Sequence, residues 1–307
     1  MILNILFIVI GIVLVLWGAD RLTDGAVAVA EKMKMPQIVI GLTIVAMGTS
    51  MPEFCVSLIS ALKGTSDLAV GNIVGSNIFN TLLIVGVSAL VAPMSIMKTT
   101  VRKDIPFALV ASALLLIMCL DEDISRFDAA ILFVMFLIFM YITLRGAKAQ
   151  GTDVEEKEKK PMATWLSVVW ILVGLACLIG GSNLFVDGAT VVATKLGVSE
   201  AVIGLTIVAG GTSLPELATS VVSARKGNSG IAIGNVLGSN VFNILAILGL
   251  TGVISPMTLK GITMTDLSMM VISIILIWLF SFTKYKIERW EGAVLTAVFV
   301  GYIYSLL

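Results

Sequence analysis

The chain has 307 residues, of which 58% are hydrophobic and 13% are charged, and its formal net charge is zero. Soluble globular domains carry about 25% charged residues, so this composition excludes an ordinary soluble protein and gives no reason to expect a nucleic-acid partner. The sequence contains no histidine, so no imidazole can serve as a metal ligand, proton relay or catalytic base.

Apolar runs of about 20 residues recur along the whole chain, and each is long enough to cross a hydrocarbon core of about 30 Å as a helix. We therefore predict an all-α polytopic membrane protein with ten transmembrane helices. In chain order they cover residues 2–20, 37–62, 68–92, 105–120, 127–145, 165–183, 200–225, 231–255, 266–283 and 290–306.

One polar segment interrupts the series of spans. It contains the run EEKEKK at 155–160 and is most simply a solvated linker. It divides the chain into a first five-helix unit at 1–145, a linker at 146–164 and a second five-helix unit at 165–307. We expect the two units to form one integrated membrane domain.

The two five-helix units are copies of each other. GLTIVAMGTSMPEFCVSLISALKG at 41–64 aligns with GLTIVAGGTSLPELATSVVSARKG at 204–227, and GNIVGSNIFN at 71–80 aligns with GNVLGSNVFN at 234–243, both with an offset of 163 residues. Because five is odd, the second copy must enter the membrane from the opposite side. This predicts an inverted repeat, which is typical of secondary transporters.

The distribution of basic residues tests this topology, because cytoplasmic loops carry an excess of lysine and arginine. The ten-span topology places sixteen of the 20 basic residues on one side and four on the side of the N-terminus. The four are Lys63, Arg126, Lys195 and Lys260. The bias predicts that both termini lie outside and that the linker is cytoplasmic, in a plasma-membrane protein.

Two glutamates lie near the middle of predicted spans. Glu53 is in the second span and Glu216 in the seventh, and an ionisable residue at such a depth indicates a functional site. Each follows a proline, which lacks an amide hydrogen and breaks the helix. We expect the break to leave the carbonyls around Ala46 and Ala209 unpaired, beside the hydroxyls of four residues. These are Thr49, Ser50, Thr212 and Ser213.

The second repeated motif places polar residues four apart, on one face of a helix. The residues are Asn72, Ser76 and Asn80 in the first copy and Asn235, Ser239 and Asn243 in the second. For Asn72 and Asn235, which are nearest the helix ends, helix packing is the favoured role. For the other four, ligation is favoured.

These side chains form a set of oxygen ligands without thiolate or imidazole. Hard oxygen ligands suit Ca²⁺, which takes six to eight of them, and they also suit Na⁺, whereas Mg²⁺ demands tight octahedral geometry. Two buried carboxylates repel each other, and either one divalent cation or several monovalent cations relieves that repulsion. Competition for one pair of carboxylates is a physical basis for ion exchange.

The paired motifs GTSMPE with GNIVGSNIFN, and GTSLPE with GNVLGSNVFN, resemble the two α-repeats of the cation/calcium exchanger superfamily, in particular its prokaryotic sodium/calcium exchanger branch. The resemblance covers essentially the whole chain. It implies antiport of several Na⁺ against one Ca²⁺, with these two ions as the substrates, no cofactor and no obligate protein partner.

Carried over by position, the resemblance makes Glu53 and Glu216 the central carboxylates shared by both ions. It assigns Asn80 and Asn243 to the centre beside them. Thr49, Ser50, Thr212 and Ser213 would supply further oxygens, and the carbonyls of Ala46 and Ala209, with Ser76 and Ser239, would serve flanking Na⁺ sites.

The resemblance also implies how the protein would move. Spans two, three, seven and eight would form a compact block that holds the ions. Spans one and six would rock or slide across that block and open one side at a time. Glycines 18, 25, 181 and 188 would permit that sliding, although packing alone also explains them.

Other functions stay open at this point. Several relatives, including potassium-dependent exchangers, carry aspartate at the position of Asn243, which weakens the case for K⁺ co-transport without excluding it. A Ca²⁺/H⁺ antiporter is the leading alternative, because a glutamate can carry a proton. A passive cation channel fits an inverted repeat less well. An intramembrane enzyme is disfavoured, since no nucleophile–base pair is present.

Overall fold

The computed structural model describes residues 2–149, 162–197 and 209–306, which are mostly helical. With π-helical and 3₁₀ turns counted in the helix that they continue, the helices are α1 Ile2–Lys32, α2 Gln37–Thr49, α3 Met51–Leu62, α4 Ser66–Val91, α5 Thr100–Asp121, α6 Arg126–Ala149, α7 Thr164–Lys195, α8 Ala209–Thr212, α9 Leu214–Arg225, α10 Ser229–Ile254, α11 Met264–Ser281 and α12 Arg289–Leu306. The strands are β1 Met94–Ser95, β2 Asp123–Ile124, β3 Met257–Thr258 and β4 Lys286–Ile287.

Each described helix overlaps a predicted span, and the helices present an apolar outer surface. Side chains such as Leu172 and Val300 are 61% and 60% exposed, as expected for helices that face lipid. By length and composition, seven of the described helices can cross a membrane, and the bent pair α2 and α3 makes an eighth if it is one span. The count of ten stays a prediction. Residues 200–208 of the seventh span and the run at 155–160 lie outside the described residues.

Helices α1 and α7 each extend 12 residues beyond the predicted span end, since they end at Lys32 and Lys195 rather than at 20 and 183. The 31 residues of α1 extend about 46 Å, more than the hydrocarbon thickness. In α1 the predicted span ends where the charged residues Asp20, Arg21 and Asp24 begin. These charges form ion pairs with one another and with Lys226, so the helix can continue through them. Helix α6 likewise runs to Ala149 and includes the first residues of the predicted linker.

Helices α1 and α7 pack against each other antiparallel, with their backbones in close contact. A Cβ atom added to Gly11 would lie 2.6 Å from the carbonyl oxygen of Gly181, and one added to Gly18 would lie 2.8 Å from that of Gly174. At the next crossing point a Cβ on Gly25 would lie 2.7 Å from the carbonyl oxygen of Ser167. Only glycine permits so close an approach.

Two short antiparallel ladders join loops of the two sequence copies. In one, Met94 pairs with Ile287, and in the other Ile124 pairs with Met257. The first ladder follows the C-terminal end of α4. The second lies near its N-terminal end, where Asp67 accepts hydrogen bonds of 2.8 Å from the backbone amides just after β3. The all-α prediction missed these strands, because two residues carry no readable alternation.

The core is formed by α4 and α10. From Ile231 to Gly249 every residue of α10 except Phe242 is buried, although several of them are polar. The peripheral helices α1, α6 and α7 expose many large apolar side chains. The repeated polar motif therefore lies in the interior of the helix bundle, surrounded by helices that carry the lipid-facing surface.

An ion-pair cluster connects α1 to the end of α9. Lys226 Nζ lies 2.6 Å from Asp20 and 2.7 Å from Asp24, and Arg21 bonds Asp20. Among the described residues Lys63, the counterpart of Lys226 in the first copy, forms no ion pair.

We expect Lys226→Met to lower the free energy of unfolding by about 1 kcal/mol, because it removes two half-exposed ion pairs. Lys63→Met is the matched control and should leave stability unchanged. Thermal unfolding of the purified protein in detergent measures both, and high salt should reduce the difference between them. Equal melting temperatures for the two variants at low salt would contradict the expectation.

Candidate ion-binding site

Both proline motifs interrupt their helices, as predicted. Helices α2 and α3 meet at Ser50 with a bend of 48°. Ser213 separates α8 from α9, and both serines have near-zero ψ angles, 11° and 6°. Pro52 and Pro215 each lie in the first turn of the helix that follows the break, where a missing amide hydrogen is tolerated.

The two glutamates are buried, and each is held by a serine of the other sequence copy. Glu53 is 1% exposed and Glu216 is 0% exposed. Ser50 Oγ donates to Glu216 Oε1 at 2.8 Å, and Ser213 Oγ donates to Glu53 Oε1 at 3.0 Å. The Oε2 atom of each glutamate is buried without a hydrogen-bond partner. Such an arrangement leaves negative charge that a cation would stabilise.

The prediction of an unpaired carbonyl at Ala46 is wrong. Its oxygen accepts a hydrogen bond of 3.0 Å from the Ser50 amide, and Thr49 Oγ1 lies 3.3 Å from it. The helix bends after this turn. In a regular helix the residue at position 52 would donate to the carbonyl of Gly48, so the amide that Pro52 lacks does not affect the Ala46 carbonyl. Ala209, the counterpart of Ala46, is the first residue of helix α8, and the unpaired carbonyl expected there stays a prediction.

Several of the other predicted ligands also connect the two copies. Thr49 Oγ1 donates to Asn235 Oδ1 at 3.1 Å, and Thr212 interacts with the Glu53 carboxylate. Ser76 Oγ lies 3.3 Å from the Oγ of Ser213. The predicted hydroxyl ligands are therefore joined to the glutamates in one polar network.

Asn80 and Asn243 lie in π-helical segments of α4 and α10, Phe79–Ile84 and Phe242–Leu248. Such irregular turns are frequent at functional sites. The Oδ1 atoms of both residues are buried without a hydrogen-bond partner, and Ser239 interacts with the Glu216 carboxylate. Neither amide hydrogen-bonds a glutamate among the described contacts, so the structure shows their open oxygens but no direct bond to the carboxylates.

Asn72 and Asn235 have the packing role predicted for them. Asn72 Nδ2 donates to the backbone oxygen of Glu53 at 3.2 Å and to Ser57 Oγ at 3.0 Å. Asn235 makes the matching bonds at 3.2 Å and 3.0 Å in the second copy. These bonds fix the helices that carry the glutamates against α4 and α10.

Two residues of the network were missed in the sequence. Asn77 and Asn240 are fully buried, and they bond Asn243 and Asn80 respectively. Both belong to the repeated GSN triplet, and that recurrence is the signal that could have indicated them. Residues were selected in the sequence because they are spaced four apart on one face of a helix. Asn77 and Asn240 do not fit that spacing, so they were not selected.

The candidate site is chemically uniform, since the groups that could bind an ion are carboxylate, amide and hydroxyl oxygens. Among the described residues, no group of three or more histidine, cysteine, aspartate or glutamate side chains is placed to hold a metal ion. Such a set suits hard cations such as Ca²⁺ and Na⁺ and lacks the softer ligands of transition-metal sites.

Comparison with known proteins identifies the family. A profile of the family described as sodium/calcium exchanger protein matches residues 3–145 and 166–307. The chain is 37% identical to inner membrane protein YrbG of Escherichia coli, covering 100% of this chain and 97% of that protein. It is 33% identical to the sodium/calcium exchanger MaX1 of Methanosarcina acetivorans, covering 99% and 98%.

A solved structure of the sodium-calcium exchanger NCX_Mj superimposes with a TM-score of 0.88 at 30% identity, covering 100% of this chain and 99% of that one. The predicted resemblance is confirmed at the level of family and fold. The chain belongs to the sodium/calcium exchanger protein family.

Proposed function

We propose that this exchanger-family antiporter exchanges several Na⁺ for one Ca²⁺ at a site centred on Glu53 and Glu216. The observation that carries the proposal is the open oxygen on each buried glutamate, whose other oxygen is fixed by a serine of the opposite copy. Two carboxylates and several neutral oxygens match the six to eight oxygen ligands of Ca²⁺.

The charges explain why the two ions would compete. The paired carboxylates carry two negative charges, which one Ca²⁺ or two Na⁺ balance, and an empty site leaves them repelling each other. A further Na⁺ would bind at the flanking positions, with Ser76 or Ser239. Although the Ala46 carbonyl is hydrogen-bonded, a carbonyl oxygen has a second lone pair and can still serve there.

We infer that the ten spans form two inverted five-helix copies, 1–145 and 165–307, within one membrane domain. The antiparallel packing of α1 with α7, its counterpart, supports inversion. The ladders support it too, because β1 and its counterpart β3 lie towards opposite ends of α4. With the distribution of basic residues, this places both termini outside and the linker at 146–164 in the cytoplasm of a plasma-membrane protein.

Transport would proceed by alternating access. Helices α1 and α7 would move together over the core that holds the site, since glycines bring their backbones into close contact along most of their length. The two ladders join the loops of the core copies at both ends and would keep that core rigid. The ions would then be exposed to one side of the membrane at a time.

Uptake of ⁴⁵Ca²⁺ into Na⁺-loaded proteoliposomes tests the function. We expect Ca²⁺ to accumulate against its gradient and to leave again when external Na⁺ is added, with protein-free liposomes as the control. Uptake driven by a pH gradient without Na⁺ would instead indicate a Ca²⁺/H⁺ antiporter. A strict requirement for K⁺ would indicate a K⁺-dependent exchanger, and flux that only equilibrates Ca²⁺ would indicate a channel.

A further inference from the structure

The amides of Asn80 and Asn243 must be correctly oriented to serve a cation. An asparagine amide presents an oxygen acceptor on one side and an NH₂ donor on the other, and the two have nearly the same shape. If either amide turned over, it would direct NH₂ at a cation and repel it. Since both Oδ1 atoms are buried and without a partner, something must hold the NH₂ groups away from the site.

Asn77 holds the amide of Asn243. Asn77 Nδ2 donates to the backbone carbonyl of Asn240 at 3.2 Å, and a carbonyl oxygen can only accept. The orientation of Asn77 is therefore fixed, and its Oδ1 accepts from Asn243 Nδ2 at 3.0 Å. Asn243 must turn its NH₂ group towards Asn77, which leaves its own Oδ1 open.

Asn240 holds the amide of Asn80 by a related route. Thr81 Oγ1 donates its hydrogen to the carbonyl of Asn77 at 2.6 Å, so it accepts from Asn240 Nδ2 at 2.7 Å. Asn240 Oδ1 then faces Asn80 and accepts from its Nδ2 at 3.1 Å. The second copy has Ile244 at the position of Thr81, so no hydroxyl is available to bond the carbonyl of Asn240. Asn77 Nδ2 donates to that carbonyl directly instead.

We propose that Asn77 and Asn240 are positioning residues that turn the amide oxygens of Asn243 and Asn80 towards the transported cation. The inference rests on the proposed ion site and adds the residues that give it oxygen ligands at these two positions. Each copy supplies the residue that orients the ligand of the other copy, just as each supplies the serine that holds the other's glutamate.

Substitution by leucine tests the role of each positioning residue, because leucine has a similar volume and no hydrogen-bonding group. We expect Asn77→Leu to raise the Ca²⁺ concentration for half-maximal binding about tenfold, since Asn243 loses its only described partner and can turn over. Asn240→Leu should do the same through Asn80. Equilibrium ⁴⁵Ca²⁺ binding to purified protein in detergent gives this number without requiring transport.

A rescue experiment separates positioning from structure. A carboxylate presents oxygen whichever way it turns, so Asn243→Asp should make Ca²⁺ binding nearly independent of Asn77→Leu. It should leave the effect of Asn240→Leu unchanged, whereas Asn80→Asp should rescue Asn240→Leu only. A purely structural role predicts the same loss in every background, and that result would overturn the proposal.

Folding and the proposed function are controlled separately. If a leucine variant unfolds, Asn77→Ser and Asn240→Ser replace it, because serine has no amide oxygen to accept from the facing residue. Wild-type protein that binds no Ca²⁺ would contradict the proposed function and this inference together. Wild-type protein that binds Ca²⁺, with variants that show no pair-specific rescue, would contradict the positioning role alone.

Discussion

Glu53→Gln is expected to abolish Na⁺-driven Ca²⁺ uptake while leaving the protein folded. A buried ion that loses a charged partner is destabilised by about 3–5 kcal/mol, which is roughly 100-fold or more in affinity. The glutamine carbonyl can still accept the hydrogen bond from Ser213, and loss of one charge relieves the repulsion with Glu216, so stability should not fall. Glu216→Gln should behave in the same way, with Ser50 as its partner.

Glu291→Gln is the matched control for these variants. Glu291 is fully buried, but its carboxylate accepts from the Glu288 amide at the start of α12, far along the chain from either proline motif. Flux in proteoliposomes and ⁴⁵Ca²⁺ binding should both be retained in this variant. Wild-type Ca²⁺ flux in Glu53→Gln or Glu216→Gln would remove the glutamates from the proposed site.

Gly181→Ala is expected to slow transport by about an order of magnitude, because it forces α1 and α7 apart. The new Cβ atom would lie 2.8 Å from the carbonyl oxygen of Gly11 and 2.9 Å from the Cβ of Leu14. A backbone oxygen cannot move aside as a flexible side chain can. The maximal rate of Ca²⁺ uptake should fall and the melting temperature should drop, while Ca²⁺ affinity should change little, since the glutamates lie on other helices.

The adjacent Gly180→Ala provides the control within the same helix. A Cβ on Gly180 would meet no described atom within 4 Å, and alanine favours helix more than glycine does. This variant should transport normally and be as stable as the wild type or slightly more stable. If the two variants transported at equal rates, close contact at this helix pair would not matter for the cycle.

The sequence indicated which residues come together better than it predicted the limits of the helices. A proline followed by glutamate in an apolar run is improbable in a membrane helix, and its exact repetition with Thr-Ser before it indicated a site. Hydropathy, in contrast, placed a span end at the charges near Asp20. Their partner Lys226 is about two hundred residues away in the sequence, and composition cannot reveal such a pairing.

The hydrogen-bonded carbonyl of Ala46 and the role of Asn77 could not be derived from the sequence for related reasons. Whether a carbonyl near a proline is free depends on which residue the bend follows, and that is decided by the packing of two helices. Asn77 lies off the polar face in a regular helix, and the irregular turn that begins at Phe79 changes which residues face the centre. Spacing rules assume a regular helix and fail where the helix is irregular.

The crosswise bonds between Ser50 and Glu216, and between Ser213 and Glu53, have a consequence for biogenesis. When the first half of the chain has left the ribosome, Glu53 is in place but its serine has not been made. The acid can be satisfied only after the second half inserts, so native burial of both glutamates is a late event in synthesis. A chain of half this length could build the same centre only by pairing with a second copy inserted in the opposite orientation.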